Sequence, residues 1–336
     1  MSKFSFAPPE LQVAFANKLN TFRPQYLQEA LAATVQRLDI ENLDSQLAEF
    51  VPKDDLSTLA AAGLRGELLF AVPCVLQDNP QLLAYYRLLL GYSQKQFYGG
   101  ASGFGVGHFK SMEEKGRIGT AASNDLQDIC QALCASGSLM LRGMKELDLK
   151  VSKSGLEDLS LLTLGPQLRG GANNVRGLLG ISNVFEVIED IVGHARLSDE
   201  DDDKTRITIK SATGRSVLIR FAADPDIVVQ EEVSPGRYIN AVAIEVKAGT
   251  DASNIHNRIG EAEKSHQKAR KDGYAECWTV VNVGGLDMAK VRAESPSTNH
   301  FFTLAGLMSK EGDDYENFRS RLLSAVSIAA KPSIED

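Results

Sequence analysis

Three side chains in the C-terminal half have the types and spacing to do chemistry: Asp226, which follows Pro225, and the pair Glu245 and Lys247. Asp226-Ile-Val-Val and Ala243-Ile-Glu-Val-Lys both read as strands, being rich in β-branched residues. Side chains alternate along a strand, so Glu245 and Lys247 point the same way. If the two segments pair as a hairpin, Asp226 lands beside them. Two carboxylates so placed are hard oxygen ligands of the kind that hold Mg²⁺. A neighbouring lysine can orient or deprotonate an attacking water. Together these are the requirements of metal-assisted phosphodiester hydrolysis. The plainer alternative is a pair of surface carboxylates salt-bridged by a lysine, which would contribute little. Against it, charged residues are disfavoured in strands, and these flank Ile227-Val-Val229 and Ala243-Ile244, which favour burial. Asp224 has no proline before it and is expected outside a metal site.

The surrounding pattern supplies elements to position them. Beyond the acidic run Ser198-Asp-Glu-Asp-Asp-Asp203 the hydrophobic period changes from 3.6 to 2. That run lacks the spacing and glycine of a calcium loop and reads as a solvated connection. Strands are expected over 205–210, 216–222, 226–230 and 238–246, with turns at Thr213-Gly214-Arg215 and Ser234-Pro-Gly-Arg237. A long helix over 251–271, with Asp251 or Ser253 as N-cap, precedes an apolar strand over 277–283. The tail, 313–329, reads as a closing helix. Upstream, Gly165-Pro166 and Gly170-Gly171 signal turns across 151–180, and a short helix follows over 184–192. Residues 1–150 are helix after helix. Their interruption at Gly99–Gly107 follows a helical segment and lacks a closing Gly-Lys-Ser/Thr. It therefore reads as a tightly turning loop rather than a nucleotide cradle, with Lys110, Lys115 and Arg117 nearby for phosphate.

A chain of 336 residues with 43% hydrophobic and 24% charged content is an ordinary globular composition, long enough for two domains. No apolar run approaches a membrane span, and Met1-Ser-Lys-Phe-Ser-Phe lacks a signal-peptide core, so the cytoplasm is the expected location. A net charge of −8 argues against nonspecific coating of nucleic acid, yet leaves room for a local basic surface. Cys74, Cys130, Cys134 and Cys277 lack a zinc pattern and read as buried thiols. His256 and His266 fall on different helix faces, which argues against a zinc pair.

The succession of carboxylate-bearing helix, strand meander carrying Pro225-Asp226 and Glu245-Val-Lys247, long helix and buried strand resembles the PD-(D/E)XK nuclease core over residues 177–283. The resemblance implies that Asp226 and Glu245, with Val246 between Glu245 and Lys247, hold Mg²⁺ and that Lys247 positions the water. It also implies a second-metal glutamate on the preceding helix, Glu186 first and Glu189 second. A narrower resemblance rests on Ser253-Asn-Ile-His-Asn-Arg-Ile-Gly-Glu-Ala-Glu-Lys-Ser-His-Gln-Lys268, Gly91-Tyr-Ser-Gln-Lys-Gln-Phe-Tyr98 and Ser111-Met-Glu-Glu-Lys115. These stretches look like the XcyI-type family of type II restriction endonucleases. That family implies a homodimer cutting duplex DNA at the palindrome CCCGGG with 5′ overhangs.

The expected fold is α/β: a mixed central sheet flanked by helices over 151–336, with a helical region over 1–150 that contacts DNA or dimerises. On the long helix, Arg258 and Glu261 share a face and could read a G·C step. Lys264, His266, Lys268, Arg270 and Lys271 make that helix basic, and Arg169 and Arg176 are further candidates for base or phosphate contact. An exposed helix with ordinary charge pairs is the alternative. Rival functions are an inactive DNA-binding module, a nuclease selecting DNA structure over sequence, and a nucleotide-binding enzyme using the Gly99–Gly107 loop.

Overall fold

The computed structural model describes residues 9–100, 103–197, 205–251, 254–284 and 287–330. Ser198–Asp203 and Ser253 lie outside them. Two compact units divide the chain, Met1–Gly170 and Gly171–Asp336. The division falls further along than the boundary expected at 150. Among the described residues no helix is long and apolar enough to cross a membrane.

Among its described residues the first unit contains helices and no strand. Helices Glu10–Tyr26, Gln28–Val35, Ile40–Phe50 and Lys53–Ala61 follow the amphipathic stretches. Leu43, Leu59, Phe70, Tyr85 and Leu133 sit in its core. Within it is a buried ion pair. Arg87 is fully buried and donates from Nε and Nη2 to the two Glu113 oxygens, both at 2.8 Å. Gln94 Nε2 and Tyr98 Oη donate to the same carboxylate at 2.7 Å each. Burial pushes the Glu113 carboxyl up, but the bonds and charge of Arg87 outweigh it and hold the group below the usual range. The Gly91–Tyr98 and Ser111–Lys115 stretches are thus two sides of one polar network. Arg87→Met strands that carboxylate without its charge partner, and a loss of about 3–5 kcal/mol in urea unfolding is expected. A loss under about 1 kcal/mol would show that the pair holds nothing together. Described glycines between the two stretches lie close against neighbouring backbone. A Cβ on Gly99 would stand 2.3 Å from the Lys95 carbonyl, and one on Gly103 2.5 Å from that of Gln96.

The second unit is built on a six-stranded sheet whose spatial order follows the chain: β1 (Arg206–Lys210), β2 (Ser216–Phe221), β3 (Ile227–Ser234), β4 (Arg237–Lys247), β5 (Glu276–Val281) and β6 (His300–Thr303). β1 to β4 are antiparallel neighbours, as the short turns require, while β4–β5 and β5–β6 are parallel. Parallel neighbours need crossovers, and helices Ile255–Lys271 and Met288–Glu294 supply them. β5 is buried along almost its whole length, with Trp278 packed edge-on to Phe302 and Phe318. The chain closes with helices Leu304–Ser309 and Gly312–Ala325, the second of which fills the expected closing element. The fold is the expected mixed α/β class.

One element departs from expectation. The turn signals of 151–180 lie inside a single helix, Lys153–Val192, which runs through Pro166 and all its glycines. Proline costs a helix about 3 kcal/mol and each glycine about 1 kcal/mol, so local propensity opposes this helix. Burial overrides it: Leu156, Leu164 and Leu168 are buried in the first unit, and Val184, Val187 and Ile188 in the second. One glycine is a packing device. A Cβ on Gly180 would fall 2.1 Å from Ala248 Cβ, so glycine lets the helix rest on the residue just past β4.

Candidate active site

The β3–β4 register pairs Ile227 with Ile244 and Val228 with Ala243. Extending it by one step sets Asp226 level with Glu245. A hydrogen bond fixes the junction: the Val246 N–H donates to Asp226 Oδ2 at 2.7 Å. Glu245 and Lys247 share the face expected of alternate strand residues, with Lys247 Nζ donating to Glu245 Oε1 at 2.6 Å. Glu245 is only 6% exposed. The other Glu245 oxygen, Oε2, accepts from Ser265 Oγ at 2.8 Å. The same hydroxyl lies 2.5 Å from Asp224 Oδ1, and Lys268 Nζ donates to Asp224 Oδ2 at 2.7 Å. Asp224 thus anchors the helix Ile255–Lys271 from outside the cleft and orients Glu245 through Ser265.

A cleft of about 590 Å³ opens over this group. Asp226, Val246 and Lys247 contribute to its lining, Asn173, Asn174 and Arg176 come from the long helix, and Arg258 and Glu261 from the helix after β4. Burial, then the Glu245 charge, pushes the Asp226 carboxyl up to about 6, against partial relief from the Val246 N–H and Lys247. Two close carboxylates with one lysine between them are an under-neutralised hard-oxygen pair, which is the donor chemistry a divalent cation fits. Among the described residues no group of three or more His, Cys, Asp or Glu side chains converges. A two-carboxylate set suits Mg²⁺, which keeps much of its water and takes substrate oxygens.

The helix carboxylate expected to complete a second metal position is not in this cleft. Glu186 is exposed, and its charge acts on Lys310. Glu189 accepts from Arg196 Nη1 at 2.7 Å. The helix turns Asn173, Asn174, Gly177 and Ile181 toward the cleft instead, a face that Glu186 does not share.

The expected DNA contacts divide. Arg258 and Glu261 line the cleft together, and Arg176 joins them. Lys264 is exposed, as is Arg169 in the helical unit. Lys268 is exposed but tied to Asp224. Arg270 closes the far end of the helix, donating to the Ala275 carbonyl and to Asn299 Oδ1 at 2.5 Å each. His266 is fully buried, bonds Thr279 Oγ1 at 2.9 Å, and has its imidazole pushed down to about 4 by burial. It is a neutral core residue and reaches no phosphate. Its neighbourhood is a polar chain in which Ser295 Oγ donates to Glu263 Oε2 at 3.0 Å and the Ser297 N–H to the same oxygen at 2.9 Å. The periodicity carried this signal: Ile255, Ile259, Ala262, His266 and Ala269 are one buried stripe at helical spacing. Ser265 has no comparable signature in the sequence, because its role depends on contacts across the fold.

The model of the XcyI restriction endonuclease family matches residues 16–329. Over 332 residues, the chain is 59% identical to the type II restriction enzyme XcyI of Xanthomonas campestris pv. cyanopsidis, covering 99% of this chain and 98% of that one. It is 57% identical over 332 residues to the type II restriction enzyme Cfr9I of Citrobacter freundii, covering 99% of each. A pair of carboxylates with a lysine where the two central strands meet, in a chain matched almost end to end, places this protein in the XcyI restriction endonuclease family of type II restriction enzymes.

Proposed function

We propose that this restriction endonuclease hydrolyses duplex DNA at the palindrome CCCGGG in the presence of Mg²⁺, leaving 5′ overhangs with 5′-phosphate ends. The observation that carries the chemistry is the under-neutralised pairing of Asp226 with the buried Glu245, beside a cleft that Asp226 and Lys247 line. A bound Mg²⁺ supplies Lewis-acid polarisation of the phosphate and acidifies water at neutral pH. Asp226 and Glu245 hold it, the first braced by the Val246 N–H and the second by Ser265. Lys247 stands on the same face and, as the ammonium that neutralises Glu245, is placed to orient the attacking water. Water attacks phosphorus in line and the 3′-oxygen leaves. Cutting both strands of a palindrome requires two such centres about a two-fold axis, so the working form is a homodimer. The helical unit contributes DNA contacts or the dimer surface.

Digestion of a plasmid of known sequence with Mg²⁺, followed by sequencing of the cut ends, tests this. Discrete fragments ending at CCCGGG with 5′ overhangs are expected, and EDTA abolishes them. A smear, cutting confined to branched junctions, or no cutting with Mg²⁺ would each overturn the reading.

A further inference from the structure

We propose that Arg258 grips the scissile phosphodiester through a non-bridging oxygen. This rests on the nuclease reading above and adds a residue to it. Arg258 lies in the first turn of the helix after β4 and lines the same cleft as Asp226 and Lys247. Its head is pressed onto the backbone just beyond the catalytic strand. A Cβ built on Gly249 would stand 1.2 Å from Arg258 Nη1 and 1.9 Å from Cζ. No unusual backbone angle calls for glycine there, and the atoms a Cβ would meet are the far end of the flexible Arg258 side chain.

The guanidinium has donors to offer. Among the described residues Arg258 makes no hydrogen bond and no ion pair, whereas Lys247 is closed onto Glu245 at 2.6 Å. A partly buried arginine fork without a carboxylate partner, beside a metal-type carboxylate pair, is complementary to an anion with paired oxygens. In a cleft that admits DNA that anion is phosphate. A base reader would extend toward a groove, but Arg258 is turned back onto the strand end. Arg176 lines the cleft as well, yet it is exposed and has no such seat.

The test uses the full chain and a short duplex containing the site that the wild type cuts. Arg258→Ala is expected to slow single-turnover cleavage about 100-fold, the scale of losing one aimed donor. Its Kd in Ca²⁺ should rise less than about 10-fold, with unchanged discrimination among altered sites. Arg258→Lys keeps a cation but loses the two-pronged fork, and is expected to slow cleavage in the same direction. It is the second arm should Arg258→Ala fold poorly. A methylphosphonate at the scissile position removes one charged oxygen. It should weaken Ca²⁺-supported binding of the wild type several-fold and that of Arg258→Ala not at all. Undiminished cleavage by both variants, or relaxed base discrimination with normal rates at the sites still cut, would overturn the assignment. The latter would make Arg258 a base reader. A wild type that cuts nothing with Mg²⁺ would instead refute the nuclease reading beneath it.

Discussion

Lys247→Ala is expected to lose DNA cleavage by about 10³-fold or more while retaining specific binding, the scale of removing a group that positions the attacking water together with its charge. The ammonium has two jobs. It stands on the face where water must approach, and it is the cation on Glu245, whose side chain is 8% exposed against 18% for the lysine. Removing it leaves a buried carboxylate beside a second one. The metal-free variant should therefore unfold at lower temperature than the wild type at pH 7.5, and divalent cation should restore more stability to it than to the wild type. This separates the reading from a merely structural lysine. A structural salt bridge predicts destabilisation that metal leaves untouched and cleavage that survives wherever the variant is folded. Band-shift titrations in Ca²⁺ beside Mg²⁺-triggered single-turnover cleavage give both numbers on one preparation. Cleavage within about 10-fold of wild type would end the assignment of Lys247 to the water.

The site was legible in the sequence to the extent that it is local. Alternation puts Glu245 and Lys247 on one face whatever surrounds them, and the short turn at Ser234-Pro-Gly-Arg237 makes β3 and β4 antiparallel neighbours, which brings Asp226 in. What depends on distant packing was not legible. The helix Lys153–Val192 contains the residues of turns, and only burial of its apolar face makes it continuous. That continuity turns Asn173 and Arg176 into the cleft and Glu186, which the resemblance implies for a second metal, out of it. β6 is four residues long, too short to show a period. His266 was misplaced for a different reason. Its basic neighbours Lys264 and Lys268 suggested a solvated helix, while its own position belongs to the apolar stripe from Ile255 to Ala269.

Asp226→Asn is expected to abolish cleavage and yet make the metal-free protein more stable at neutral pH. Burial and the Glu245 charge raise the folded carboxyl to about 6, whereas in the unfolded chain it titrates near its ordinary value of about 4. Between those values the folded state holds a proton that the unfolded state has released. The group therefore stabilises the fold fully below about pH 4, and that contribution is lost as pH rises through about 6. At pH 7.5 the metal-free wild type carries the whole cost of two adjacent carboxylates, which the neutral amide removes while its oxygen still accepts from the Val246 N–H. The variant should melt at least about 2–4 °C above the metal-free wild type at pH 7.5, an effect of ~1 kcal/mol, and should lose that advantage at pH 4. Metal reverses the comparison. Cation binding requires the deprotonated carboxylate, so Mn²⁺ or Mg²⁺ should raise the wild-type melting temperature at pH 7.5, raise it less as pH falls below 6, and leave Asp226→Asn unmoved. An asparagine variant that is less stable than wild type without metal, or stabilised by cation as strongly, would show that the strain between Asp226 and Glu245 is not what prepares this site for a divalent ion.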